Sequence, residues 1–140
     1  MATRPNRYRS GLEEEFSKIL KDAKIPFTFE TERLRYVEPE QTHIYTPDFL
    51  IKKKLYIETK GRLTAADRKK MKLVCRQHPD KSIVMVFDRA SKRIAKGSKT
   101  TYAMWCQKNN IQFVELKQIK EDPTILCQSF MTKSPKDGSS

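Results

Sequence analysis

Two acids and a lysine in the middle of the chain have types and spacing suited to metal-ion chemistry. Asp48 follows a proline, and Glu58 and Lys60 come ten and twelve positions later, with Thr59 between them. Two close carboxylates repel each other unless a cation lies between them. Mg²⁺ prefers oxygen ligands, including a backbone carbonyl such as that of Thr59, and keeps waters that can attack a phosphodiester. Lys60 is then expected to orient or deprotonate the attacking water, or to stabilise the charge of the transition state.

The elements around these residues predict a β-hairpin that brings them together. Two segments have the apolar patterns typical of strands, residues 44–51 and 55–59. Three lysines between them form the expected turn. Pro47 places the start of the first strand at an edge or an entry point. In such a hairpin Asp48 and Glu58 converge, and Glu58 and Lys60 share a side because side chains alternate along a strand.

The spacing alone is weak evidence, because an acid followed by Glu-x-Lys is common by chance. Exposed hairpins also often carry Glu and Lys as cross-strand pairs. The apolar neighbours of Asp48 and Glu58 favour buried positions, however, and buried charges need a partner or a metal. The context therefore favours a metal-dependent nuclease over a solvated hairpin.

The charge of the chain predicts a polyanionic partner. The 140 residues carry 29 Lys and Arg against 17 Asp and Glu, a formal net charge of +12. Residues 61–100 contain twelve of the basic residues and three Asp, a net +9. A solvated basic helix face is the alternative explanation, but the number of positive positions favours nucleic acid.

The remaining pattern predicts one domain with a central mixed β-sheet flanked by helices, an α/β or α+β fold. Ser10 is a suitable N-cap for a helix over residues 12–23, with Glu13 returning a capping-box hydrogen bond to the cap. Residues 27–37 are expected to be extended with a bend near Thr31, and a polar connection follows. The later helices are expected at 65–77 and 101–108, and the later strands at 82–87 and 111–116.

The ends of the chain and its cysteines predict little chemistry. Residues 1–9 are expected to form a flexible basic arm, 10–118 the main domain, and 119–140 an extension with a disordered end. Cys75, Cys106 and Cys127 lack metal-site spacing and are expected to be reduced thiols. No apolar run predicts a membrane span or a secretory signal, so we expect a protein of the cytoplasm.

The order of motifs resembles the phage endonuclease I family, Holliday-junction resolvases of the PD-(D/E)xK nuclease superfamily with a restriction-endonuclease-like core. The resemblance runs from about residue 9 to residue 113. It rests on segments 10–13, 43–50, 58–61, 67–70, 77–79 and 96–98.

The resemblance implies a catalytic set of Glu13, Asp48, Glu58 and Lys60, with the carboxylates and the Thr59 carbonyl holding one or two Mg²⁺ ions that Mn²⁺ can replace. Helical periodicity alone does not choose between Glu13 and Glu15, which border opposite edges of the buried face. The resemblance also implies a homodimer that is domain-swapped through about residues 27–43, so that Glu13 and Asp48 of one site come from different subunits.

The basic residues and one histidine are the expected DNA contacts. They are Arg4, Arg7, Arg9, His43, Arg62, Arg68, Lys69, Lys70, Arg93 and Lys96. Contacts of this kind go to phosphates and suit recognition of DNA shape. His43, like His78, has a structural hydrogen-bonding role as its alternative.

Three functions compete for this sequence. The first is an endonuclease that resolves four-way junctions and other branched DNA. The second is a restriction- or repair-type endonuclease on linear or mismatched duplex. The third is a non-catalytic, architectural DNA-binding protein whose acids only satisfy the fold.

Overall fold

The computed structural model describes residues 8–38 and 41–130, in which helices cover both faces of a twisted sheet. The helices are α1 (Gly11–Asp22), α2 (Ala65–Gln77), α3 (Tyr102–Lys108), α4 (Leu116–Glu121) and α5 (Ile125–Ser129). The strands are β1 (Phe27–Phe29), β2 (Leu34–Glu38), β3 (Gln41–Tyr45), β4 (Phe49–Ile51), β5 (Leu55–Lys60), β6 (Ser82–Phe87) and β7 (Gln112–Glu115).

The main sheet has the strand order β1-β4-β5-β6-β7. Its first two pairs, β1 with β4 and β4 with β5, are antiparallel, whereas β5 with β6 and β6 with β7 are parallel. Each parallel pair needs a crossover, which α2 and α3 provide. The expected mixed sheet flanked by helices is confirmed.

A second, two-stranded sheet interrupts the expected strand at 44–51. That single strand was a wrong prediction, because β3 ends at Tyr45 and β4 begins only at Phe49. Pro47 lacks an N–H and fixes its own φ, so the chain leaves one ladder before it enters the other. β3 pairs instead with β2, antiparallel, in register from Leu34 with Tyr45 to Glu38 with Gln41.

Local signals located the other central elements well. Helix α2 begins and ends as expected because a capping box of Thr64 and Asp67 starts it and His78 caps its end. The expected bend near Thr31 is confirmed as the break between β1 and β2. The polar connection, expected over residues 39–42, is shorter, since Gln41 and Thr42 already pair with β2.

The core lies on both faces of the main sheet, and side chains alternate between them along each strand. The face under α1, α4 and α5 buries Phe16, Leu20, Phe49, Ile57, Val84, Ile119 and Leu126. The face under α2 and α3 buries Tyr45, Tyr56, Met71, Val74, Met85, Phe87 and Trp105. All six residues of β6 are buried, as predicted for a strand covered on both sides.

Two short C-terminal helices were not predicted. α4 and α5 lie in the weakly patterned segment after residue 116, and each contributes one fully buried side chain, Ile119 and Leu126. Residues 1–7 of the expected basic arm, and the expected disordered end from 131 onward, lie outside the described residues. Cys75, Cys106 and Cys127 form no disulfide within the described residues.

Candidate active site

The β4–β5 hairpin positions Asp48 and Glu58 opposite each other. Phe49 pairs with Ile57, so the residue before β4 and the residue after Ile57 meet at the same edge of the hairpin. Both carboxylates are buried, with relative exposures of 7% for Asp48 and 5% for Glu58. Two acids so little exposed to water need compensation from nearby donors or from a cation.

Thr59 holds the carboxylate of Asp48 in place. Its backbone N–H donates to Oδ2 of Asp48 at 2.9 Å, and its hydroxyl donates to the same oxygen at 2.8 Å. Burial nevertheless raises the pKa of Asp48 above its ordinary value, against the effect of these two hydrogen bonds. Because both bonds use Oδ2, they leave Oδ1 available to a cation.

Tyr45 and Lys60 lie on either side of the Glu58 carboxylate. The Tyr45 hydroxyl donates to Oε1 at 2.6 Å, and the Lys60 Nζ lies 3.5 Å from Oε2. Burial, followed by the charge of Asp48, raises the pKa of Glu58 to about 8. Tyr45 was not predicted, and its only signal in the sequence is its position three residues before Asp48 in the same motif.

Lys60 is held between two carboxylates. Its Nζ lies 3.1 Å from Oδ1 of Asp67, in the first turn of α2, in addition to its contact with Glu58. Burial alone lowers the pKa of Lys60, but the charges of Glu58 and Asp67 outweigh it and raise that pKa above its ordinary value. Lys60 is therefore a cation at neutral pH. The contact between Lys60 and Asp67 was not predicted.

Glu13 joins this group from the first turn of α1. Ser10 caps the helix by accepting from the Glu13 N–H at 3.1 Å. The expected return bond from the Glu13 carboxylate to the Ser10 N–H was wrong, since the carboxylate accepts instead from the backbone N–H of Arg9 at 2.8 Å. Burial raises the pKa of Glu13, and the charge of Asp48 adds to that increase. Glu15, its alternative, pairs with Lys120 at the surface.

Glu30 completes an acidic cluster that was not predicted. Glu13, Glu30 and Asp48 each offer an oxygen within 4.8 Å of the others, whereas Glu58 is not part of that triple. The Glu30 N–H donates to the Asp48 carbonyl at 2.8 Å, and its carboxylate pairs with the Arg9 guanidinium. These are hard oxygen donors, the kind that Mg²⁺ takes, so the donor set fits the expected metal. A single chain brings Glu13 and Asp48 together.

Four of the predicted DNA contacts line one pocket beside this site. Arg62, Arg68, Arg93 and Lys96 surround a cavity of about 680 Å³ at the start of α2. The pocket begins two residues after Lys60, at the end of β5.

The other predicted DNA contacts lie apart from this pocket. Lys69 pairs with Glu38, and Lys70 lies over the ring of Tyr45. His43 stacks on Tyr36 and lies 3.2 Å from Glu38, while Arg9 pairs with Glu30. His78 bonds to the Arg35 carbonyl, the structural role given as its alternative. Arg4 and Arg7 lie outside the described residues.

Two kinds of comparison relate the chain to known proteins. The family model for phage endonuclease I matches residues 1–135. Endodeoxyribonuclease 1 of Enterobacteria phage T3 is 44% identical over 113 residues, covering 81% of this chain and 74% of that protein. Endonuclease I of Escherichia phage T7 is 42% identical over 108 residues, covering 77% of this chain and 72% of that protein. The chain therefore belongs to the phage endonuclease I family.

Proposed function

We propose that this protein is a divalent-metal-dependent DNA endonuclease that resolves four-way junctions and other branched DNA by hydrolysing phosphodiesters. Its family and its two named relatives make it a deoxyribonuclease. The single observation that carries the metal-dependent chemistry is the meeting of buried Asp48 and Glu58 with the cation of Lys60 at one edge of the hairpin.

The acids fit the role of metal ligands. Oδ1 of Asp48, Oε2 of Glu58, the Glu13 carboxylate and the Thr59 carbonyl would hold Mg²⁺, or Mn²⁺ in its place. The ion supplies Lewis acidity and an activated water when bound. The raised pKa values of the three carboxylates express the cost of burying like charges, and a bound cation relieves that cost.

Lys60 acts as a fixed positive charge. Glu58 and Asp67 raise its pKa, which disfavours it as the base that deprotonates water at neutral pH. A cation held in a water-poor site stabilises the charge that builds up on the phosphoryl oxygens in the transition state. We therefore assign Lys60 the electrostatic role among the alternatives.

The charge distribution and the family resemblance support the proposed substrate and assembly. The +9 segment at residues 61–100 suits a DNA backbone. A homodimer would present two sites to the paired strands of one junction, which a single small chain does not. Exchange of about residues 27–43 would require the contact of Glu30 with Asp48, made here within one chain, to form between subunits. No helix within residues 8–38 and 41–130 has the length and apolar character needed to cross a membrane.

Substitution of the acids tests the assignment. Asp48→Asn and Glu58→Gln should each lower junction cleavage in Mg²⁺ by more than about 100-fold, because ligand loss costs at least as much as loss of a supporting residue. Junction binding without metal should persist. Glu13→Gln has a matched control in Glu14→Gln, which removes an exposed acid one position along α1. Undiminished cleavage in the Asp48 or Glu58 variant would contradict the proposal.

Two incubations separate the other functions. Linear duplex that competes equally with a four-way junction would favour the restriction- or repair-type enzyme. A junction that stays intact with the protein and Mg²⁺ or Mn²⁺ would favour the architectural protein.

A further inference from the structure

We infer that the pocket formed by Arg62, Arg68, Arg93 and Lys96 binds a backbone phosphate of the DNA strand that is cut, next to the scissile phosphodiester. The inference rests on the proposed endonuclease function and adds a defined subsite to it. It separates these four residues from the other predicted DNA contacts, which lie elsewhere or are engaged in ion pairs.

The pocket is cationic and uncompensated. No Asp or Glu is among the described residues that line it. Within the described part of the chain, Arg62, Arg93 and Lys96 form no ion pair, whereas Lys60, Lys69 and Lys120 each pair with a carboxylate. Three exposed cations that converge without an acid create a local positive field suited to an anion.

The wall of the pocket is held in place before any ligand arrives. The Arg68 Nη1 donates to the Leu63 carbonyl at 2.9 Å and to the Ile94 carbonyl at 3.2 Å. The Lys92 Nζ donates to the Gly61 carbonyl at 2.8 Å, which ties the same loop to the end of β5. A preformed wall lowers the ordering cost of binding.

The loop that carries Arg93 and Lys96 is itself closed by backbone hydrogen bonds. Ile94 N–H donates to the Thr100 carbonyl at 2.9 Å, and Ser98 N–H to the Ala95 carbonyl at 3.0 Å. Gly97 has a φ of 84°, in the left-handed region that favours glycine, directly after Lys96. The loop therefore presents its two cations from a defined turn.

The position of the pocket selects the neighbouring phosphate. Arg62 follows Lys60 by two residues, which span at most about 7 Å of extended chain. Thr64, which lines the pocket, donates its hydroxyl to Oδ2 of Asp67, and Oδ1 of the same carboxylate contacts the Lys60 Nζ. A phosphate in the pocket would thus belong to the same stretch of backbone as a phosphodiester at Lys60. The volume of about 680 Å³ accommodates a sugar–phosphate segment and lies in the usual range for ligand pockets.

The experiment compares two double variants that each remove two positive charges. Arg93→Gln with Lys96→Gln removes two positive charges from the pocket lining. It leaves Arg68 unchanged, and the hydrogen bonds of Arg68 hold the loop in place. Lys52→Gln with Lys53→Gln neutralises two exposed lysines in the β4–β5 turn, at the opposite end of the hairpin from the site. The Kd for a four-way junction is measured in EDTA as a function of salt concentration, and cleavage is measured in Mg²⁺.

The pocket variant is expected to raise Kd about tenfold and to lower the salt slope by about 1, as loss of one phosphate contact requires. Its kcat at saturating DNA is expected to stay within about twofold of wild type. The weaker binding is expected to appear as a higher KM. The control variant is expected to change both quantities much less. Arg62→Gln, on the other wall, is expected to reproduce the effect independently of the loop.

Equal weakening by the two double variants, or a loss in kcat with KM unchanged, would overturn the inference. A second result would also overturn it: wild type binds inorganic phosphate saturably, the pocket variant does not, and the two proteins bind DNA with equal affinity. The pocket would then be a site for free anions. The binding arm needs no cleavage. Failure of the endonuclease proposal is therefore seen separately, as a junction that wild-type protein leaves intact in Mg²⁺.

Discussion

The hydroxyl of Tyr45 donates a 2.6 Å hydrogen bond to Oε1 of Glu58, from the last residue of β3 to the middle of β5. Burial, followed by the neighbouring charge of Glu58, raises the pKa of the phenol well above its ordinary value, so it remains a donor throughout the working pH range. The bond favours the ionised form of Glu58 and directs its other oxygen toward Lys60.

Tyr45→Phe should therefore shift the pH dependence of cleavage to higher pH. Without the donor, the pKa of Glu58 rises further and less of the carboxylate is ionised at neutral pH. Since a hydrogen bond to a charged group contributes about 1.5 kcal/mol or more, the rate at pH 7 should fall roughly tenfold at subsaturating Mg²⁺, where the ion competes with the proton on Glu58. Tyr56→Phe, on the same sheet face, is the control and should keep the wild-type profile. Coincident profiles for wild type and Tyr45→Phe would contradict this role.

Glu58→Gln should alter stability in a pH-dependent way when metal is absent. The folded-state pKa of about 8 lies above the ordinary 4.5, so the folded protein retains a proton that the unfolded chain releases. The free energy of unfolding therefore falls as pH rises from about 4.5 to 8. Glutamine cannot ionise, so the free energy of unfolding of the variant should exceed that of wild type by at least about 1 kcal/mol at pH 8. At pH 4 it should show no such excess.

Urea unfolding in EDTA at both pH values measures this difference. Addition of Mg²⁺ at pH 8 should stabilise wild type more than the variant, because ligand binding to the folded state raises its stability. An identical decrease with pH in both proteins would mean that Glu58 is not the titrating group.

Asp67→Asn should lower cleavage by weakening the hold on Lys60. The change removes the charge that lies 3.1 Å from Nζ, while the amide oxygen can still accept from the Thr64 N–H. Thr64→Ala removes the cap of α2 without touching Lys60 and should cost about 1 kcal/mol of stability. We expect kcat at saturating DNA to fall about tenfold in the Asp67 variant and to be unchanged in the Thr64 variant. Equal losses in kcat would mean that Asp67 acts only through the helix.

Gln77→Ala should loosen the β2–β3 hairpin. The side-chain amide of Gln77 accepts from the Val37 N–H at 2.6 Å and donates to the Val37 carbonyl at 2.7 Å, in place of a neighbouring strand. Loss of both bonds should cost about 1 kcal/mol and speed exchange of the Val37 amide hydrogen. Gln107→Ala, at an exposed position of α3, is the control. Unchanged exchange at Val37 would show that the hairpin does not depend on this contact.

Locally encoded features were predictable from the sequence. The bounds of α2 follow from its capping residues, and the meeting of Asp48 with Glu58 follows from the two-residue period of the hairpin strands. Pro47 carried a signal that was interpreted too weakly, as a strand entry instead of a change of sheet. α4 and α5 were missed because each offers too few apolar residues to show a helical period.

Partners from distant parts of the chain had no such signal. Tyr45 reaches Glu58 across 13 residues, and Gln77 reaches Val37 across 40. Glu30 joins the acidic cluster only because β1 pairs with β4 and places it beside the Asp48 backbone. These contacts depend on tertiary pairing, which a single sequence does not specify residue by residue.

Residues 46–48, which connect β3 to β4, place the active site where the two sheets meet. Tyr45 is the last residue of the small sheet, and Asp48 directly precedes the main one. The phenol that bonds Glu58 therefore belongs to the small sheet, whereas Asp48 and Glu58 belong to the main one. Through this bond, the pKa of Glu58 depends on a hairpin that contributes no carboxylate to the acidic cluster.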